Sequence, residues 1–529
     1  MSDVDAIIIG AGHNGLTAGT MLARDGLKVL CLEKTNWAGG MASTKELFKG
    51  YKHSVGAWAM IVLHQEMIDL LDVEKHGFKT IVPDTSYVVY GEPEDQPFVA
   101  YNDPITMANK IAEDHGPDAM RGLFDLFQYL RIYGKIADQE RLKAPESIDK
   151  LIAEAPDAET REALQRLCYA SAMDIIRQFF PDPNKHRTIQ GSLAAMSIDG
   201  THMGPYTPGG ATSMAFHYTA SDAMNVFKLP EGGIGALSEA LVRALEAEGG
   251  EVRYRAQVKR LLIEDGKAVG VELRSGEKIT AQVVLSSIDA NATFLKLAGE
   301  EHLPFPFTEK VKEIDYRNGY IQVHMTLKEE PEFTGHLAFT NENKLKWLMA
   351  YIPSADHVSK CWNEYKNGQI PTDPLAYCYF PSMIDPTVAP PGYHTATLFS
   401  HYFPYDTPKD KLREHAGIMA DRAIEQFAKY CPNFKDSIVD KLVLTHNYFK
   451  TTFGVTGGDF CHGLLQPGQM WDSRPVKGAS DYRTPIGNLY MCGSACHPGP
   501  GVTCVPGYNS ARAVMADLAA ADSDLVAAQ

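Results

Sequence analysis

Three things are scarce in this 529-residue chain, and each scarcity closes a route. Its nine cysteines never fall as Cys-x-x-Cys, which argues against a dithiol redox relay, and their irregular scatter is not that of a disulfide scaffold. Cys492, Cys496 and His497 stand close together, but three residues separate the cysteines where haem attachment needs two, so no metal or haem is expected there. Basic residues are outnumbered, 50 Lys and Arg against 66 Asp and Glu, and the formal net charge of −16 gives no footprint for nucleic acid. No apolar run approaches the ~18 residues of a membrane-spanning helix, which leaves only a peripheral membrane contact open. The first strand pattern begins by Val4, with no room expected for a signal or transit peptide, and a reducing cytoplasm suits the cysteines.

What is present is concentrated at the start. Asp5-Ala-Ile-Ile-Ile-Gly-Ala-Gly-His-Asn-Gly15 reads as an apolar strand running into a Gly-x-Gly-x-x-Gly turn, and the amphipathic stretch Leu16 to Ala23 continues as a helix. A second strand, Lys28-Val-Leu-Cys-Leu32, ends in Glu33. Gly10 permits the tight turn, Gly12 lets the backbone approach a pyrophosphate, and Gly15 lets the helix lie close on the sheet. The helix N-terminus offers free N–H groups to phosphates, and Glu33 is placed to accept hydrogen bonds from an adenosine ribose. An ordinary tight strand-to-helix turn would need neither the acid nor its spacing. The composition, 44% hydrophobic and 10% aromatic, is that of a globular chain long enough for two domains with their own cores.

Lys34-Thr-Asn-Trp-Ala-Gly-Gly-Met41 follows the acid. Pro230-Glu-Gly-Gly-Ile-Gly235 opens a helical stretch that leads into Gly249-Gly-Glu-Val-Arg253, and Thr484 to Gly493 leads into His497-Pro-Gly-Pro-Gly-Val-Thr-Cys-Val-Pro-Gly507. In this order and over the whole chain, these segments resemble the FAD enzymes of the phytoene desaturase and amine oxidase type, a group that includes carotenoid isomerases and pyridine-nucleotide-disulfide-oxidoreductase-like proteins. The resemblance implies an FAD cofactor, with Gly39 and Gly40 passing under its diphosphate, Val258 meeting the adenine through its backbone, and Gly493, Gly507 and Tyr508 near the flavin. Where the family often has arginine after the double glycine, this chain has Met41.

The expected fold is α/β, a Rossmann-like FAD-binding domain in three segments with an interleaved α+β substrate domain. We place the FAD segments at 1–70, 226–300 and 445–529 and the substrate segments at 71–225 and 301–444. The Asp265-Gly266 pair predicts a hairpin between Val258–Ile263 and Val269–Leu273, after which Ala281–Leu285 rejoins a parallel sheet. Apolar spacing predicts helices over Leu123–Ile136, Thr160–Phe179 and Lys411–Tyr430, and alternation predicts strands over Tyr320–Thr326 and Thr395–His401. Gly232, Gly233 and Gly235 follow no apolar strand, so they read as a glycine-rich helix entry rather than a second dinucleotide fingerprint. NADH and NADPH are accordingly expected to be poor reductants.

A flavin carries the redox chemistry itself, so the protein has only to hold substrate and manage protons and charge. His53, Tyr206 and His217 are the candidate catalytic residues. His202, Met203, Met214, Phe216 and Tyr218, from a loop expected over Asp199 to Tyr218, together with Thr503 and Cys504, are the candidate substrate contacts. The leading expectation is an FAD-dependent oxidoreductase of desaturase or dehydrogenase type. It would act on a largely apolar small molecule and be reoxidised by oxygen, a quinone or another acceptor. A redox-neutral double-bond isomerase, an amine oxidase-like enzyme and a flavin-bearing interaction protein without turnover are the alternatives. The oligomeric state is left open.

Overall fold

The computed structural model describes residues 2–219, 226–342 and 344–527; the stretch 220–225, at the end of the first insertion, lies outside them. The strand Val4–Ile9 lies at the centre of a seven-stranded sheet, parallel to Val29–Leu32 on one side and to Lys278–Ser286 on the other. Glu251–Arg253 extends the sheet beyond Val29–Leu32, and Leu489–Met491 extends it beyond Lys278–Ser286. A central parallel strand is covered on both faces, and here Ala6 and Ile8 enter one core while Ile7 and Ile9 enter another. The first core includes Leu16, Leu22, Leu241, Leu245 and Val505 from the helices His13–Arg24, Gly235–Ala247 and Val505–Ala527. The second is closed by the antiparallel strands Val258–Glu264 and Lys267–Leu273, joined at Asp265 and Gly266 with φ of 48° and 74°, the left-handed pair a tight hairpin turn needs.

The second seven-stranded sheet is mixed, with strands in the order Ile438–Thr445, Tyr320–Leu327, His394–His401, Ala376–Tyr379, Leu348–Tyr351, Thr85–Tyr90 and Phe98–Tyr101. Every residue of Tyr320–Leu327 is buried. Ile321, Val323, Met325 and Leu327 pack with Met419, Ala423 and Phe427 of the helix Leu412–Ala428. By the two-residue repeat of a strand, Tyr320, Gln322, His324 and Thr326 fall on the other face, so polar groups are buried there, a pattern that stability alone does not favour. A helical layer, Pro117–Glu140 through Gly210–Thr219, packs over the far end of this sheet.

Two expected elements differ. The span Thr160–Phe179 is two helices, Ala158–Tyr169 and Ala172–Phe179, because Ser171 caps the second through a reciprocal pair of bonds with Asp174. The expected loop Asp199 to Tyr218 ends as the helix Gly210–Thr219, buried at every position; with no polar face it lacks the periodicity that marks a helix in sequence.

Candidate active site

A cavity of about 570 Å³ runs from the carboxyl ends of the parallel strands to the inner face of the second sheet. One end is bordered by Gly10, Gly12, Glu33, Gly39, Gly40 and Val258. At the other end Trp58, Leu348, Ala350, Tyr377, Tyr379 and Phe399 make an apolar and aromatic wall.

The first end is built by backbone conformation. Gly10 has φ of +96°, and a Cβ on Gly15 would lie 2.2 Å from the Gly10 carbonyl oxygen, so neither position accepts a side chain. Gly12 differs: a Cβ there meets only Ser287 Oγ at 3.9 Å, so its missing side chain leaves space on the cavity side. The Gly39 N–H donates to the Ala11 carbonyl at 2.7 Å, which seats the double-glycine loop on the glycine turn. The first bond of the helix His13–Arg24 is Leu16 N–H to Gly12 O at 2.9 Å, and the N–H groups before it are the donors a helix N-terminus leaves unpaired. Glu33 is buried, with Oε2 accepting the Ala11 N–H at 3.0 Å and Oε1 the Thr35 N–H at 2.8 Å; each carboxylate oxygen keeps a further lone pair. His13 Nε2 and His462 Nδ1 have no partner although both residues border the cavity. Burial pushes the His13 imidazole down to about 3, with His462 adding to the effect.

Comparison with known proteins agrees with this geometry. The pattern of the family described as flavin containing amine oxidoreductase matches residues 15–514. The chain belongs to that family. It is 26% identical to pyridine nucleotide-disulfide oxidoreductase domain-containing protein 2 of Rattus norvegicus, covering 98% of this chain and 94% of the relative. It is 27% identical to a limonene dehydrogenase polypeptide of Castellaniella defragrans, covering 98% and 96%. A solved oxidoreductase from Methanosarcina mazei shares the fold, with a TM-score of 0.59 at 15% identity over 97% of this chain and 99% of that one. As a flavin containing amine oxidoreductase, the protein is an FAD-dependent oxidoreductase, and the residues at the first end fit that cofactor. The open side of Gly12 and the helix donors suit a diphosphate, Glu33 suits a ribose, and the two orphaned imidazole nitrogens lack the partner that a phosphate or a ribityl hydroxyl would supply. Met41 brings no cation, but Lys34, Arg274 and Lys296 border the same end.

Three expected cofactor residues of this flavin containing amine oxidoreductase serve packing instead. A Cβ on Gly493 would lie 2.4 Å from Ser287 O, and one on Gly507 2.0 Å from Asn14 O, so these glycines let a loop press onto the residue that follows the strand Lys278–Ser286 and a helix press onto the helix His13–Arg24, without bordering the cavity. Gly15 takes the close-packing role that the sequence assigned to it. Tyr508 packs into the first core. From the C-terminal loop it is Pro500, Gly501 and Val502 that reach the cavity; Thr503 borders a separate small hollow and Cys504 is buried, because Val502 and Cys504 both take left-handed φ and turn the chain inward.

At the sheet end, Phe216 and His217 border the cavity as expected, whereas Met214 and Tyr218, on another face of the same helix, enter the core. Met203 is buried away from the cavity. His202 sits against Trp362, its Nδ1 donating to the Arg317 carbonyl at 3.1 Å and lying 3.2 Å from the Tyr365 hydroxyl, outside the cavity. Tyr206 is an exposed surface residue bonded to Asp356 at 2.8 Å and Arg177 at 2.9 Å, so it has no access to the reacting atoms. His53 is buried, its ring 5.3 Å from that of His324, and does not border the cavity; burial pushes it down to about 4.

Asp199 and His401 join the candidate residues only in the folded chain. His217 Nε2 lies 3.2 Å from Asp199 Oδ2, and His401 Nε2 lies 3.8 Å from Asp199 Oδ1. Burial opposes ionisation of Asp199, but the His217 hydrogen bond and the two imidazoles outweigh it and hold the carboxyl below its ordinary value. Burial pushes His401 down to about 4. A histidine ending a strand whose alternate residues are Thr395, Thr397 and Phe399 was the available signal for His401; nothing local marks Asp199.

Proposed function

We propose that this oxidoreductase dehydrogenates a largely apolar small molecule held against the inner face of the second sheet. The observation that carries the reading is the continuity of one cavity from the dinucleotide end to a wall made of Trp58, Phe216, Leu348, Tyr377 and Phe399. Such a wall gives affinity through apolar area and leaves orientation to a few polar groups. The resemblance to a protein named as part of a limonene dehydrogenase supports it.

FAD, when bound, supplies the acceptor for two electrons as hydride. Around it, the glycine turn, Glu33 and Val258 would hold the cofactor, the aromatic wall excludes water, and His217, paired with Asp199, is the proposed proton-handling residue. The electron acceptor that returns the enzyme to its oxidised state is oxygen, a quinone or another carrier. Nine free cysteines, all buried, support a reducing compartment such as the cytoplasm, and no described helix is long and apolar enough to cross a membrane. An apolar substrate is consistent with a peripheral membrane contact for its delivery.

The test is anaerobic mixing of the oxidised holoenzyme with a monocyclic terpene hydrocarbon, a monocyclic terpene alcohol, a long-chain polyene precursor and a water-soluble primary amine. Bleaching of the flavin by an apolar compound is expected. Bleaching by the amine alone would overturn the reading.

A further inference from the structure

The protons on the Asp199 cluster can be counted from its geometry. His217 Nδ1 lies 2.8 Å from the Ser213 carbonyl oxygen, which only accepts, so Nδ1 carries a proton. Its second neighbour, Ser213 Oγ at 3.3 Å, uses its own proton on the Asp199 carbonyl at 3.0 Å and gives the same answer. The contact between His217 Nε2 and Asp199 Oδ2 therefore holds one further proton, whichever of the two atoms carries it, and the pair is neutral overall.

Asp199 Oδ1 has no such partner. His401 Nε2, at 3.8 Å, is beyond hydrogen-bond length, and a third of the Asp199 side chain is accessible while that of His401 is nine-tenths buried. Both residues border the cavity. An oxygen atom can lie about 2.8 Å from both groups at once, donating its proton to Oδ1 and accepting from a neutral His401 with its proton on Nε2. An ammonium cannot accept, and beside a pair already neutral it would bring an uncompensated charge into an apolar cavity. A hydrocarbon leaves both groups unbridged.

We propose that Asp199 Oδ1 and His401 Nε2 form a subsite for a neutral hydroxyl group, so that the substrate of this enzyme is an apolar molecule bearing a hydroxyl rather than a pure hydrocarbon or an ammonium ion. The inference rests on the reading of the cavity as the site of an apolar substrate. Tyr377 and Cys461 also border the cavity beside Asp199 and carry no charge at neutral pH, since burial raises both above their ordinary values.

The test measures dissociation constants of octan-1-ol, octane and octylammonium for the oxidised holoenzyme, by calorimetry and by the change in flavin absorbance, in wild type, Asp199→Leu and His401→Phe. The expected result is tighter binding of the alcohol than of octylammonium in wild type. In either variant the affinity ratio of alcohol to octane should fall about tenfold, the scale of one hydrogen bond. An unchanged ratio in both variants, or tighter binding of octylammonium than of the alcohol, would overturn the hydroxyl subsite while leaving the apolar cavity intact. Failure of all three probes to bind wild type would overturn the cavity reading, and with it the subsite. The His401 variant keeps the test decisive if loss of Asp199 disturbs His217.

Discussion

Glu33 Oε2 accepts the Ala11 N–H at 3.0 Å, so the acid at the end of one strand braces the glycine turn at the end of its neighbour. The carboxylate thus both shapes the turn and stands ready for a ribose. Replacing Glu33 by Leu removes both functions, and FAD affinity should fall about 10- to 100-fold, the scale of hydrogen bonds to a charged group. Titration of apoprotein with FAD, followed by quenching of flavin fluorescence, measures it. An unchanged affinity would show that Glu33 has only the bracing role.

Gly12 and Gly15 should separate folding from cofactor binding. Gly12→Val places its side chain where no protein atom stands closer than 3.9 Å to the Cβ, so the apoprotein should melt near the wild-type temperature yet fail to retain FAD. Gly15→Ala puts its Cβ 2.2 Å from a backbone oxygen and should destabilise the apoprotein itself by about 1–3 kcal/mol or more. Apoprotein melting curves and flavin content of the purified variants distinguish the two.

His217 and Tyr206 should part company in the opposite sense. His217→Phe should slow substrate-driven flavin reduction about 100-fold, as expected for loss of a proton-handling group, with FAD content unchanged. Tyr206→Phe removes surface bonds to Asp356 and Arg177, should cost at most about 1 kcal/mol of stability, and should leave flavin reduction at the wild-type rate. Stopped-flow reduction of both variants decides it.

Acid should reveal His53. Its imidazole is held down to about 4 by burial, against an ordinary value of 6.5, so between these values the unfolded chain binds the extra proton. The native state is therefore favoured at pH above 6.5 and loses stability as pH falls from 6.5 to 4, by about 1.4 kcal/mol per pH unit for this one group. His53→Leu should flatten the dependence by that amount. Denaturant titrations at several pH values between these limits supply the slopes, and an unaltered slope would show that His53 does not contribute.

The cofactor end of the site was legible because it is made of local backbone geometry. Gly10, with φ of +96°, and Gly15, where a Cβ would strike Gly10, are constraints that act within six residues of one another and leave a mark in the sequence. Gly493 and Gly507 left the same mark but for another reason: they accommodate Ser287 and Asn14, whose proximity only the folded chain creates. A glycine needed for close packing looks the same in sequence as one needed for a ligand.

The sheet end was not legible in this way. A single helix face decided that His217 would border the cavity while Tyr218 would not, and the helix itself carried no amphipathic signal because it is buried all round. Tyr206, in a glycine- and proline-rich stretch that suggested a ligand loop, went to the surface. By itself the sequence determined the dinucleotide turn, its acid and the α/β architecture, since each depends on short-range conformation and hydrophobic period. Only the tertiary structure decided the polar site. Asp199 meets His401 across two chain segments joined by no local motif, and Gln322 closes onto Gly56, 266 positions away in the chain, through packing of a buried sheet face that no neighbouring residues prescribe.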